Sequence, residues 1–259
     1  MRVLRWGLRG AFVLWVSCAV ASAAEKPLDL RRAVPAEAYM VVHGKHNPER
    51  DFQRAYYKEI WKTVEQTKII PQAVEIVTSR LTPDQMEKGK AVLEEVKQAA
   101  APIKLQALAD AKEVIYAQQM KALSDEMKVP VSQHLLALRL TPEAAAGMQK
   151  GIKNLFGLVE KYSEGKVPVE SSTEGAAMIV ALAVPPHVPF QPTVICIGDV
   201  LLVSSSRDMA REGLKRLVQG GGPSKFDDPR LQEALRRLPQ PEDSLVFYDC
   251  RLQFTQMRG

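Results

Sequence analysis

The chain has 259 residues, 46% hydrophobic and 25% charged, the balance of a globular protein with enough length for a sizeable core. Its formal net charge of +5 includes Arg2, Arg5 and Arg9, so the rest of the chain carries +2 and the basic balance gives no reason to expect a nucleic-acid partner. Three cysteines exclude a disulfide-dense scaffold.

The first 24 residues read as a signal peptide. Arg2, Arg5 and Arg9 precede an apolar stretch from Gly10 to Ala24, and Ala21-Ser22-Ala23 fits a small-residue cleavage site. That stretch is 15 residues, short of the ~20 needed to span a bilayer as a helix. Cleavage near Ala23 or Ala24 implies export to the periplasm or extracellular space, with an uncleaved N-terminal anchor as the alternative. Cys18 as a lipoprotein cysteine is disfavoured by Trp15 three places before it. About 235 residues remain for one α+β domain over 25–259, with no further membrane span.

Pro35-Ala36-Glu37 leads into a strand over 38–42. Asn47-Pro48 then opens a helix with Phe52, Tyr56, Ile60 and Val64 along one packed face. A short helix is expected from Pro71. Thr82-Pro83-Asp84-Gln85 is a capped helix start, running to about Ala100. Strands follow at 114–117 and 134–140, then a helix from Thr141-Pro142-Glu143 to about Tyr162. The stretch from Ser163 to Gly175 reads as a loop and as the best place for a sub-boundary. Three apolar runs at 176–184, 193–197 and 200–204 read as strands, the last two joined through Gly198-Asp199. Ser205 or Ser206 caps a helix ending at Gly220, Asp228-Pro229 opens another, and 244–248 is the last strand. Helices and strands alternate without a βαβ rhythm. This implies an α+β fold, a largely antiparallel or mixed sheet with helices packed on one face.

Several phrases carry a resemblance. "VPAEAYMVV", "HLLALRLTPEAAAGMQKGIKNL", "GDVLLVSSSRDMAREGLKRL" and "FDDPRLQEALRRLPQPEDSLVFYD" resemble the bacterial domain-of-unknown-function family 3352, over Val34 to Phe254. The resemblance implies a Pro-Ala-acid entry into a strand, a hairpin ending in serines before a helix, and a short Asp-Pro helix before another strand. It implies no catalytic residues, because the family carries no accepted activity. Members usually continue where this chain stops at Gly259. Read as the N-terminal part of the family fold or as a truncated frame, the chain would leave a sheet edge or apolar face uncovered.

Candidate chemistry is sparse. His43 and His46, with Glu49 or Asp51, supply zinc-type ligands. Gly44 argues against a helix that would bring the two histidines together, and acids after Asn47-Pro48 complement a helix dipole without metal. His134 reads as a strand-edge residue, and His187 lies in a proline-rich loop. The serines at 204–206 lack a nucleophile elbow. Gly220-Gly221-Gly222 with Lys225 lacks the order of a phosphate loop. Cys196 and Cys250 are a candidate disulfide whose alternative is two free thiols. The expectation is therefore an exported module without cofactor or catalytic residues, binding an envelope protein or other surface partner. Its alternative is a metal-dependent hydrolase built on His43, His46 and Glu49.

Overall fold

The computed structural model describes residues 27–46, 83–104, 110–122, 130–185, 188–238 and 244–258, with scattered helical positions between 55 and 67. Eight strands form one sheet: β1 (Met40–Lys45), β2 (Glu113–Ala122), β3 (Pro130–Arg139), β4 (Val169–Glu174), β5 (Ala177–Leu182), β6 (Thr193–Ile197), β7 (Val200–Ser204) and β8 (Ser244–Tyr248). Their order is β4-β5-β6-β7-β3-β2-β1-β8, and every neighbouring pair is antiparallel. The helices are α1 (Pro83–Ala100), α2 (Pro142–Tyr162), α3 (Arg207–Gln219), α4 (Pro229–Arg237) and α5 (Cys250–Arg258).

The α+β class and the antiparallel sheet agree with the sequence reading. The placement of the helices does not, because both faces of the sheet are covered. On one face Val41, Ile115, Ala117, Leu135, Ile195 and Leu202 pack with Met209 and Leu214 of α3 and Leu231 of α4. On the other, Val194, Cys196 and Leu201 pack with Met148 and Ile152 of α2. The cause is visible in β6 and β7. Thr193–Ile197 is buried at every position, and a strand apolar on both sides needs cover on both sides.

Helix starts follow their capping chemistry. Thr141 Oγ1 accepts from the Ala144 N–H at 3.3 Å ahead of α2, and Ser206 caps α3 through Met209 N. Gly220 closes α3 at φ 65°, a conformation open to glycine without a Cβ penalty. The stretch read as a loop at 163–175 contains β4, which turns through Gly175 at φ 60° to pair with β5 along its whole length. After the half-buried Val169 its residues are polar and exposed, so they show no alternation for sequence periodicity to detect. Helix α5 was also not expected; Asp249 caps it, Oδ1 accepting from Leu252 N at 3.0 Å. Tyr56 and Ile60 are helical but exposed, so at these two positions the expected packed face is not formed. Phe52, Val64, the helix expected at Pro71 and the signal peptide lie outside the described residues.

Cys196 and Cys250 are both free. β6 and β8 stand five places apart in the sheet. At strand spacing that is about 24 Å, several times the reach of a disulfide. Cys196 is inert in addition, since burial pushes its thiol up to about 11.

Helix α2 lies close to the chain leaving α1. A Cβ built at Gly147 would sit 2.5 Å from the Pro102 carbonyl oxygen, and one at Gly151 would sit 2.3 Å from Ile103 Cγ1. Gly147→Ala gains about 1 kcal/mol of helix propensity but forces a backbone carbonyl to move, which costs about 1–3 kcal/mol. Urea denaturation of this variant is expected to show a net loss of stability. A gain would mean that the approach of α2 to Pro102 is looser than described.

Candidate functional site

The sheet brings charged residues from three strands into one row. Lys45 of β1 stands opposite Glu113 of β2, and Glu113 opposite Arg139 of β3. Two residues earlier in β1, His43 points to the same face by strand alternation. Its Nε2 donates to Glu113 Oε1 at 2.9 Å. Arg139 Nε lies 3.5 Å from Glu113 Oε2, while Nη1 donates to both oxygens of Asp199 at 3.1 Å and Nη2 to the Leu28 carbonyl. Lys45 Nζ reaches Glu113 only at 4.0 Å from an exposed position, so its share is small. Burial alone would raise the Glu113 carboxyl, but His43, Lys45 and Arg139 outweigh it and hold it below the ordinary glutamate range.

A histidine oriented by a carboxylate is the arrangement of a general base, so access decides its meaning. His43 is 8% exposed, with the edge of its ring against Phe226 at 5.6 Å between centroids. His46 lies just past β1, and its N–H donates to the Lys112 carbonyl at 2.9 Å. Residues three apart along an extended chain point to opposite sides, so His43 and His46 do not converge. Glu49 and Asp51 lie outside the described residues. Among the described residues no group of three His, Cys, Asp or Glu side chains has the geometry to hold a metal ion.

The other candidates separate in space. His134 sits on the opposite face of the sheet from His43, its Nδ1 2.6 Å from the Tyr116 hydroxyl. Ser205 Oγ accepts from His134 N at 2.9 Å and Ser204 Oγ donates to His134 O at 2.8 Å, so these serines tie β3 to β7. His187 lies outside the described residues. A hollow of about 300 Å³ near the N-terminus of α3 is lined in part by Lys121, Gln133, Ser205, Ser206, Arg207 and Asp208. Neither His43 nor His134 lines it, and its charges are of both signs.

Around Gly220-Gly221-Gly222 the polarity is the reverse of a phosphate cradle. The Gly220 and Gly222 carbonyls accept from Arg32 Nη2 at 3.2 and 3.0 Å. Lys225 is 1% exposed, its Nζ bonded to Asp228 Oδ2 at 2.8 Å and Asp249 Oδ2 at 3.4 Å. Arg230 Nη2 also reaches both, at 3.2 and 2.6 Å. Asp228 caps α4 and Asp249 caps α5, so one buried lysine joins two helix N-termini. Sequence reasoning found the Asp228 cap from its proline. It missed the junction, because Asp249 is 21 positions away with no proline or local periodicity to mark it.

Comparison of the chain with protein-family models, with curated proteins and with solved structures returns no match.

Proposed function

We propose that this chain is an exported, non-catalytic α+β module that acts by binding or structural association at the cell envelope. One observation carries the reading. His43, the best-placed base in the sequence, spends Nε2 on Glu113 beneath Phe226, and Glu113 is in turn matched by Arg139, which also holds Asp199. Such a network fastens β1, β2, β3 and the β6–β7 turn to one another. Export is inferred from Arg2, Arg5, Arg9 and the Ala21-Ser22-Ala23 site. Among the described residues no helix is long and apolar enough to cross a membrane. The resemblance to family 3352 brings no activity, so the reading rests on this geometry.

Metal analysis and hydrolase assays of the purified chain, with His43→Gln and His46→Ala beside it, test the reading. The expected result is no stoichiometric metal and no turnover in any of the three. Bound metal lost on either substitution would overturn it in favour of the hydrolase. Intact-mass measurement of the extracytoplasmic fraction is expected to give a chain starting near Ala24 or Glu25.

A further inference from the structure

The hollow at the N-terminus of α3 gathers polar groups whose bonding is incomplete. Gln119 and Lys121 of β2 are two apart and share a face, and Gln133 of β3 stands opposite Gln119. Gln119 is 6% exposed; its Nε2 donates to Gln133 Oε1 at 2.9 Å, and its Oε1 has no partner. Where β7 leads into α3, Ser206 Oγ accepts from Met209 N and the Ser206 carbonyl from Ala210 N. The Arg207 and Asp208 N–H groups, at the first two helical positions, therefore have no helical acceptor. Arg207 Nη1 pairs with Glu170 at 2.8 Å and Nη2 donates to the Leu182 carbonyl at 3.0 Å, while its enclosed Nε is unbonded. Buried polar atoms are almost always bonded, so orphans beside one hollow mark a place where a bound molecule completes the set. Lys121, Gln133, Ser206, Arg207 and Asp208 all line that hollow of about 300 Å³. Arg207 is matched by Glu170, whereas Lys121 and Asp208 have no ion-pair partner among the described residues.

We infer that this hollow binds a small zwitterion of the free α-amino acid class. The unmatched charges choose it. A simple anion would gain Lys121 and the start of α3 but meet the Asp208 carboxylate. A simple cation would gain Asp208 but meet Lys121 and the positive end of the helix. A neutral polyol would leave both charges unmatched. An α-amino acid answers all of them, its ammonium to Asp208 and its carboxylate to Lys121 and the free N–H groups of α3. The Gln133 amide, anchored from behind by Gln119, is left to meet the side chain. A volume of about 300 Å³ is at the small end of ligand sites, the size for one amino acid and too small for a large cofactor. The inference names a ligand for the non-catalytic binding reading and rests on it, since neither His43 nor His134 lines the hollow.

The test uses the full chain and the standard L-amino acids, each in turn, by thermal shift and then by titration calorimetry. At least one is expected to raise the melting temperature and to bind one-to-one. Its decarboxylated amine and its deaminated acid are the controls, each expected to bind weaker by about tenfold or more. Lys121→Met is expected to weaken the amino acid by about tenfold without weakening the amine. Asp208→Asn is expected to weaken it similarly without weakening the deaminated acid. Urea midpoints of both variants check that the fold is kept. If no amino acid binds, if either control binds as tightly as the amino acid, or if both folded variants keep the parent affinity, the inference is overturned. A failure here with no metal and no turnover leaves the non-catalytic reading standing, whereas stoichiometric metal removes that reading first.

Discussion

Lys225→Met is expected to lower the unfolding free energy by about 3–5 kcal/mol, the usual cost of removing one partner from a buried ion pair. The ammonium is enclosed, its two aspartates are themselves mostly buried, and methionine offers them nothing in exchange. Arg230 remains bonded to both carboxylates, but it is 54% exposed at the side chain and places the loss toward the lower end of that range. The acid dependence provides a second readout. Burial alone would raise the Asp228 and Asp249 carboxyls. Lys225, Arg230 and a backbone N–H to each, from Arg230 and Leu252 respectively, outweigh it and hold both below the ordinary aspartate range. A carboxyl whose pKa is lower in the folded state stabilises fully above its unfolded value of about 4, and that stability is lost as the pH falls through the folded value. The parent protein should therefore weaken steeply below about pH 4, and Lys225→Met should do so less steeply. Urea midpoints at pH 7, 4 and 3 measure both effects. A midpoint unchanged by Lys225→Met at pH 7 would show that Arg230 suffices and that Lys225 is no joint.

Such a junction marks where local reasoning stops working. Elements announced by capping residues were legible at the residue level: α2 at Thr141-Pro142, α3 at Ser206, α4 at Asp228-Pro229 and the β6–β7 hairpin at Gly198-Asp199. Their signals are local, because a cap or tight turn is satisfied within four residues. β4 was not legible, since an exposed edge strand made of Glu, Ser and Thr has neither alternation nor burial to announce it. The two-faced burial was present in the sequence as the unbroken apolar runs of β6 and β7. Interleaved helices suggested a one-sided arrangement, and those runs outweigh that argument.

For the candidate site, residue types were legible and partners were not. His43 was singled out, yet the acids nearest to it in sequence, Glu49 and Asp51, drew attention that belonged to Glu113, 70 positions away. Glu113 reaches His43 through the β1–β2 register, a long-range property that no spacing rule encodes. Arg139 and Asp199 join through two further pairings in the same sheet. A reader of the sequence sees Glu113, Arg139 and Asp199 as three ordinary charged residues, and only the strand order makes them neighbours.

The same network yields the second large effect. Glu113→Ala is expected to cost about 3 kcal/mol, because it leaves the His43 ring without its acceptor and Arg139 with one carboxylate in place of two. Glu113→Gln should cost roughly half as much, since the amide oxygen still accepts from His43 while the charge opposite Arg139 is gone. The carboxyl is held low in the folded state, so its contribution is present above about pH 4.3 and fades as the pH falls through the folded value. Both variants should flatten the acid limb of a stability-against-pH curve. Chemical denaturation with an unchanged m-value measures the loss as stability alone. The sign of the result separates the two functional readings. Carboxylates kept for catalysis often sit in strained, destabilised sites, so their neutralisation tends to leave stability unchanged or raise it. A fastening carboxylate does the opposite. A Glu113→Gln protein more stable than the parent would therefore count for an active centre at His43 and against a non-catalytic module.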